Sequence, residues 1–449
     1  MEAQPIKMDI VGGYGKILKR RAADRPGAAL FMLRAGLLYE SARVALRSGG
    51  GMPRALARLN LMALGSVRRA LADPQGSVWV NLFAPVEILH CFGLAPLSIE
   101  CFSSFMAGFR VEDYFIDRAE RAGMPDTLCS YHKNFIGVVD SRVLPPPLLS
   151  LTTTLACDCN LNTFRHIEGS MGVKSHVIDV PYEYSPAAES YVTGQLEALV
   201  ADLERATGRA FRPERLKEAL DIENSCRELH ESALRLQAER DYPCAPTLHM
   251  FKLFATHLLP GSREVLGYYR LLNEELEASP ASEAVRILWI HLLPFYDESL
   301  KALLAPGSGF RIICSDFDLD YRERLDSSKP LAALARKMLL NVYNGPYERK
   351  MRMAAEAADL LRPDCVVHFC HWGCRQSAGG VMEMKRMFGE RGLPMLILDG
   401  DGMDRRGSPD GQIRTRLEAF FETLGAARAA GRDPGPDPVT GENGVGGGR

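Results

Sequence analysis

Two short apolar runs toward the carboxyl end set the pattern for the whole chain: Cys365-Val366-Val367-His368-Phe369 and Pro394-Met395-Leu396-Ile397-Leu398. Each has the length and composition of a strand buried on both faces, as strands of a parallel sheet are. Each ends in polar, glycine-containing sequence and is followed by a helical pattern, which makes a βαβα unit. The same punctuation occurs earlier. Ser77 to Phe83, Ala95 to Ile99, Leu148 to Leu155 and Val177 to Pro181 read as strands, as do Val285 to Ile290 and Arg311 to Cys314. Between the two sets of strands the apolar positions recur at helical spacing. There Arg212-Pro213-Glu214 starts one helix and Tyr242-Pro243-Cys244-Ala245-Pro246 breaks another. The pattern predicts an α/β protein with two parallel-sheet domains linked by helices. Its parts are a helical N-terminal extension over 1–75, a first α/β domain over 76–185, a helical linker over 186–282, a second α/β domain over 283–428, and a Gly- and Pro-rich tail over 429–449 expected to be disordered.

Loops at the carboxyl ends of strands hold the ligand in open α/β sheets, and three loops of this chain carry cysteine. Cys129 precedes a helix, Cys157 and Cys159 follow a strand, and Cys370 and Cys374 follow Phe369 with His371, Trp372 and Arg375 around them. Thiols beside cationic and aromatic side chains at a strand end point to a metal or redox site. Buried free cysteines, among the commonest core residues, account for the last pair equally well. Spacing shifts the balance a little. A four-cysteine zinc site draws on close pairs separated by about two to four residues, and the single residue between Cys157 and Cys159 is tight for that. Iron–sulfur clusters accept cysteines from widely separated loops. A cluster therefore ranks modestly ahead of zinc, with inert cysteines close behind. Cys91, Cys101, Cys226, Cys244, Cys314 and Cys365 fall within or beside regular elements and read as core. Glu87 lies in the first turn of a helix opened by Pro85, where a carboxylate complements the helix dipole.

Composition narrows the classes. The 54 Lys and Arg against 56 Asp and Glu leave a net charge of −2, so net charge draws the chain to neither nucleic acid nor membrane. Arg54, Arg58, Arg68 and Arg69 read as a solvated helix face. No apolar run approaches the ~18 residues that span a bilayer, and the first ten residues have no signal-peptide core, so a cytoplasmic protein is expected. Eleven cysteines in such a chain favour metal or redox chemistry over disulfides. No G-x-x-x-x-G-K-[ST] occurs, and Gly12-Gly13-Tyr14-Gly15 lacks a preceding strand. Any nucleotide hydrolysis is then the work of another chain. Asp399-Gly400-Asp401-Gly402-Met403-Asp404 lacks the downstream Glu of a calcium loop and reads as a tight turn capped by its aspartates.

With these residues in view, the chain resembles the 2-hydroxyacyl-CoA dehydratase/benzoyl-CoA reductase family, specifically its cluster-bearing subunits, over most of residues 75 to 425. The resemblance rests on Ala84-Pro85-Val86-Glu87-Ile88 with Gly93-Leu94-Ala95-Pro96, on Leu128-Cys129-Ser130, Cys157-Asp158 and Ala206-Thr207-Gly208. Its most specific blocks are His371-Trp372-Gly373-Cys374-Arg375-Gln376 and Leu398-Asp399-Gly400-Asp401 through Gly411-Gln412 and Thr415-Arg416-Leu417. The resemblance implies two Rossmann-like domains with a [4Fe–4S] cluster in the cleft between them, held by Cys129, Cys157 and Cys374. Three thiolates leave one iron open. Cys159 and Cys370 are extra thiols, as further ligands or as part of a double-cubane [8Fe–9S] cluster seen in some relatives. His371 and Arg375 are implied to shape the pocket and hydrogen-bond cluster sulfur, and Glu87 to contact substrate or cluster. The implied chemistry is reductive: an ATP-dependent iron–sulfur activator supplies a low-potential electron, the thioester carbonyl of a CoA substrate becomes a ketyl radical, and water is expelled or an aromatic ring reduced. The implied partners are a homologous second subunit, or a second copy in a dimer.

Overall fold

The computed structural model describes residues 9–48, 50–407 and 410–429. Three helices lead: α1 (Ile10–Asp24), α2 (Pro26–Arg47) and α3 (Arg54–Ala72). Then come β1 (Ser77–Val80), β2 (Ala95–Ser98), β3 (Leu149–Thr153) and β4 (Ser175–Ile178), which form a four-stranded sheet in the order β2-β1-β3-β4. Long helices follow, among them Pro186–Thr207, Pro213–Glu239 and Arg263–Glu277. The second sheet comprises β5 (Val285–Ile290), β6 (Phe310–Ser315), β7 (Cys365–His371) and β8 (Met395–Gly400), in the order β6-β5-β7-β8. Every strand pairing in both sheets is parallel. The α/β class and the two parallel sheets expected from the pattern are present. The tail expected over 429–449 lies outside the described residues from position 430 on.

The reasons for these elements are local. Central strands β1, β3 and β7 are buried along their whole length; β1 and β7 read as largely apolar runs, whereas β3 carries Ser150, Thr152 and Thr153 between and after its leucines. Pro213 opens its helix at the first turn, where a missing N–H costs nothing, and the chain breaks between Glu239 and Pro246. Two strand ends differ from expectation. The first strand stops at Val80 rather than Phe83, and β7 runs on through Cys370 and His371, because Cys370 and His371 continue the pairing with Asp399 and Gly400 of β8. Helix α3 is also more than a solvated face: 12 of its 19 residues are buried, Arg58 and Arg68 are half-buried, and Arg54 and Arg69 are exposed.

Packing joins the two sheets. The core on one face of the second sheet, with Trp289, Val367 and Phe369, includes Ala107, Ile116, Cys129 and Tyr131 from the first half. The core around the first sheet in turn takes in Phe317, Leu334, Met338 and Tyr343. Among the described residues no helix is long and apolar enough to cross a membrane.

Candidate functional site

In each sheet the strand order reverses once, between β1 and β3 and between β5 and β7. Chain segments leaving the carboxyl ends of such a pair turn opposite ways and open a crevice, the usual ligand position of open α/β sheets. Cys157 and Cys159 follow β3, and His291 follows β5. Cys374 follows β7 and caps a short helical turn, Arg375–Ala378. Cys129 sits at the N-cap of the helix Ser130–Asp140, and Cys159 begins the helix Cys159–Met171. Gly373 sets the approach of the two halves. Its φ is +76°, and a Cβ there would stand 2.8 Å from both the Cys129 N and the Thr127 O, so only glycine lets the Cys374 loop lie against the Cys129 loop.

Three cysteines from three loops each meet an imidazole. Cys129 Sγ is 3.2 Å from His371 Nε2, Cys374 Sγ is 3.4 Å from His291 Nε2, and Cys157 Sγ is 3.7 Å from His132 Nε2. The His371 tautomer follows from the main chain. The Gly402 N–H donates to His371 Nδ1 at 2.9 Å, so the ring proton of the neutral imidazole is on Nε2 and is donated to the Cys129 sulfur. Burial lowers the pKa of His371 and takes that of His132 down to about 4, so both rings stay neutral near pH 7. His291 carries φ +74°, a strained region for a side-chain-bearing residue, and its buried Nδ1 has no hydrogen-bond partner among the described residues.

The thiols feel one another. Burial pushes the Cys129 thiol well above its ordinary value, with Cys374 and Asp401 adding to the shift, and burial likewise raises Cys374. Cys157 is raised by its hydrogen bond to Cys159 and then by burial, while that same bond draws Cys159 down to about 7. Clustered thiols of this kind ionise only against a compensating positive charge, which bound iron or zinc supplies. Around them the polar groups are ordered. Asp401 Oδ1 accepts from Ser130 Oγ at 2.6 Å and from the Met403 and Asp404 N–H groups at 2.8 and 2.7 Å, which ties the turn after β8 to the helix after Cys129. Asp401 thus caps its turn as the sequence suggested. Behind Cys374, Lys350 Nζ stands 3.0 Å from Asp316 Oδ2 and 4.8 Å over the Tyr343 ring, with both charged side chains buried. Asp316 Oδ1 accepts the His291 N–H at 2.7 Å, so the pair also holds the strained histidine.

A cavity of ≈ 280 Å³ lies between the two halves, with none of the four thiols or their imidazoles on its wall. Glu87 and Glu223 on its wall share the Lys337 ammonium at 2.7 and 2.8 Å, and Arg227 pairs with Glu223 at 2.6 Å. Burial raises the Glu87 pKa, with Lys337 opposing. From the cavity wall an aromatic series leads back to the thiols. Phe83 contacts Tyr343, Tyr343 stacks on Phe317, and Phe317 lies against His291, with ring centres 5.3, 5.2 and 5.5 Å apart.

The structure therefore brings Cys129, Cys157, Cys159, Cys374 and His371 together. Glu87 lies on the neighbouring cavity, paired rather than free at its helix start. Cys370 differs from the loop position expected of it: it lies within β7, with its sulfur 3.7 Å from His368 Nδ1 and 3.6 Å from the Ser377 carbonyl oxygen, because strand alternation turns it and His371 to opposite faces. Arg375 is 94% exposed and faces Asp158 at 3.5 Å, outside any buried pocket. Sequence reasoning did not single out His132, His291, Lys350 or Asp316. His291 was within reach of the strand-end rule, since it directly follows β5; the buried ion pair left no local signal.

Among the described residues no three His, Cys, Asp or Glu side chains stand close enough to hold one metal ion. A four-iron cluster is wider than an ion, and its ligands stand correspondingly further apart. Comparison with known proteins agrees with the resemblance in the sequence. The chain is 22% identical to the alpha subunit of (R)-phenyllactyl-CoA dehydratase of Clostridium sporogenes, covering 78% of this chain and 90% of that one. It is 22% identical to the alpha subunit of lactoyl-CoA dehydratase of Anaerotignum propionicum, over 81% and 94% of the two chains. It is 21% identical to one of the subunits of the benzoyl-CoA reductase of Thauera aromatica, over 79% and 90%. Residues 81–424 match the model of the 2-hydroxyglutaryl-CoA dehydratase D-component family, and the chain belongs to that family.

Proposed function

We propose that the chain is the iron–sulfur subunit of a 2-hydroxyacyl-CoA dehydratase, or of a related CoA-thioester reductase, working in the cytoplasm. The observation that carries the reading is the convergence of Cys129, Cys157 and Cys374 from three separate loops, each sulfur against an imidazole Nε2. Their raised thiol pKa values fit a group that brings positive charge, and the donor set is the soft one that iron–sulfur clusters take. A [4Fe–4S] cluster on these three thiolates supplies, when bound, one-electron reduction of a thioester carbonyl. The chain's own residues do the rest. His371 donates its Nε2 proton to the Cys129 sulfur, which favours the more negative, reduced state. Lys350 and Asp316 hold His291 against Cys374. The cavity between the halves takes the acyl group, with Glu87 and Lys337 as its polar contacts, and the series from Phe83 through Tyr343 to Phe317 stands between it and the thiols and keeps water from them.

The hydrogen bond between Cys157 and Cys159 favours a second reading, in which Cys159 adds a fourth sulfur and the cluster is the larger double cubane of a homodimeric reductase. In either reading the electron comes from an ATP-dependent activator, since the chain has no phosphate-binding loop of its own. A homologous partner subunit is consistent with relatives named as alpha and beta subunits of (R)-phenyllactyl-CoA dehydratase. The test is a panel of single serine substitutions purified without oxygen. Cys129→Ser, Cys157→Ser and Cys374→Ser are each expected to lose iron while melting close to the parent, and Cys226→Ser to keep it. Full iron in all three, or none in the parent, ends the proposal.

A further inference from the structure

Helix α2 is apolar on both sides. Its inner face buries Ala29, Leu33, Leu37 and Val44 against α1 and α3. Its outer face presents Phe31 (71% exposed), Leu38 (55%), Tyr39 (71%) and Leu46 (86%), with Ala35, Ala42 and Ala45 exposed between them. These positions fall on one stripe at i, i+4, i+7, i+8, i+11, i+14 and i+15, about 22 Å long at 1.5 Å per residue. A surface helix of a globular protein carries polar residues there, and one that is apolar all round is a buried helix. The stripe lies outside residues 81–424, the part that matches the family, so it is a feature of this chain's own N-terminal region.

The order of residues on the stripe indicates what covers it. About the point between Leu38 and Tyr39 the sequence is symmetric in size: Leu38 against Tyr39, Ala35 against Ala42, Phe31 against Leu46. Two copies of α2 laid antiparallel about a two-fold axis through that point set small residues level with small and large with large along the whole contact. An isologous interface has this self-complementarity, in which residue i meets j and j meets i. Charge permits it. Arg34 and Arg43 border opposite edges of the stripe, so in the antiparallel pair each edge brings like arginines no closer than about 13 Å along the axis, beyond the ~8–10 Å over which salt screens them. Two such faces together bury roughly 1,000 Å², the least that a biological interface with good complementarity needs.

We infer that the outer face of α2 is a homodimer interface, in which two copies of this chain pack antiparallel about Leu38 and Tyr39. The inference stands apart from the cluster chemistry and is tested on the full chain by mass measurement in solution. The chain at ~10 µM is expected to sediment at twice its 49.6 kDa mass. Leu38→Glu and Leu38→Lys are each expected to halve that mass while leaving the far-UV circular-dichroism spectrum unchanged, since the side chain points to solvent in the single chain. Mixing the two variants in equal amounts is expected to restore the dimer, because the two copies of position 38 flank the two-fold axis about 1.5 Å apart along the helix direction, which brings the opposite charges together. A monomeric parent, a dimer indifferent to both substitutions, or a mixture that stays monomeric overturns the inference. Flotation of a monomeric parent with anionic phospholipid vesicles would assign the face to a membrane surface instead, and would overturn it too.

Discussion

The two four-stranded sheets have the same parallel design and a single reversal of strand order, yet they bring different chemistry to the crevice between them. The first half supplies sulfur: Cys129, Cys157 and Cys159, each within two residues of a helix start, with His132 behind Cys157. The second half supplies one thiol, Cys374, but two of the three imidazoles and the buried Lys350–Asp316 pair. One half gathers thiols, and the other supplies imidazoles and a buried ion pair. Neither half alone makes a centre, and their shared core, in which Cys129 and Tyr131 sit with Trp289 and Phe369, fixes the distance between them.

The largest effect is expected where the second half stores its charge. Lys350→Met leaves Asp316 buried and unpaired, which costs about 3–5 kcal/mol. Urea unfolding should show that loss, and the double variant Lys350→Met, Asp316→Leu should recover part of it. A loss under about 1 kcal/mol would mean that the pair is wetter than its burial indicates. Next comes the joint between the halves. Gly373→Ala adds left-handed strain to a clash with the Cys129 backbone and should cost about 2–3 kcal/mol. Gly172→Ala, equally left-handed at φ +66° but with nothing within 4 Å, should cost only about 1 kcal/mol. Equal losses at the two glycines would remove the close approach from the account.

A smaller effect belongs to the first half alone. Burial raises the Glu100 carboxyl from 4.5 to about 7. Its folded pKa is raised, so the contribution to stability is complete below about 4.5 and is lost as pH rises through about 7. The full shift corresponds to about 3 kcal/mol, and because Glu100 is only half-buried the fall across that window should be on the order of 1–2 kcal/mol, which Glu100→Gln should flatten. The same slope in the variant would assign it to other groups. The smallest stability change, about 1 kcal/mol, is expected of His371→Ala. With iron bound, that variant should show a more negative midpoint potential in a reductive titration, partly rescued by His371→Gln. An unchanged potential would leave His371 a packing residue.

Much of the fold was legible because buried parallel strands are written as largely apolar runs: Val285–Ile290 is where the pattern put it, and the other strands lie within a few residues. The exceptions are instructive. β7 runs past Phe369 because Cys370 and His371 keep their pairing with β8, and sequence composition does not reveal a partner strand. That extension set Cys370 and His371 on opposite faces of the strand, with His371 against Cys129 and Cys370 near enough to Cys374 to feel its charge. The cysteines were visible as strand-end residues, whereas the Lys350–Asp316 pair joins positions 34 residues apart whose neighbours look like any helix and loop. The stripe on α2 was not singled out, because Arg34, Glu40, Arg43 and Arg47 interrupt its apolar residues along the sequence.

The central claim is tested most directly by the metal and sulfide content of the chain purified without oxygen, with electron paramagnetic resonance after reduction. The account predicts about four irons with matching sulfide and a reducible signal, lost in Cys374→Ser; about eight would bring Cys159 or Cys370 into the ligand set. Stoichiometric zinc without iron, in protein never exposed to air, would contradict it.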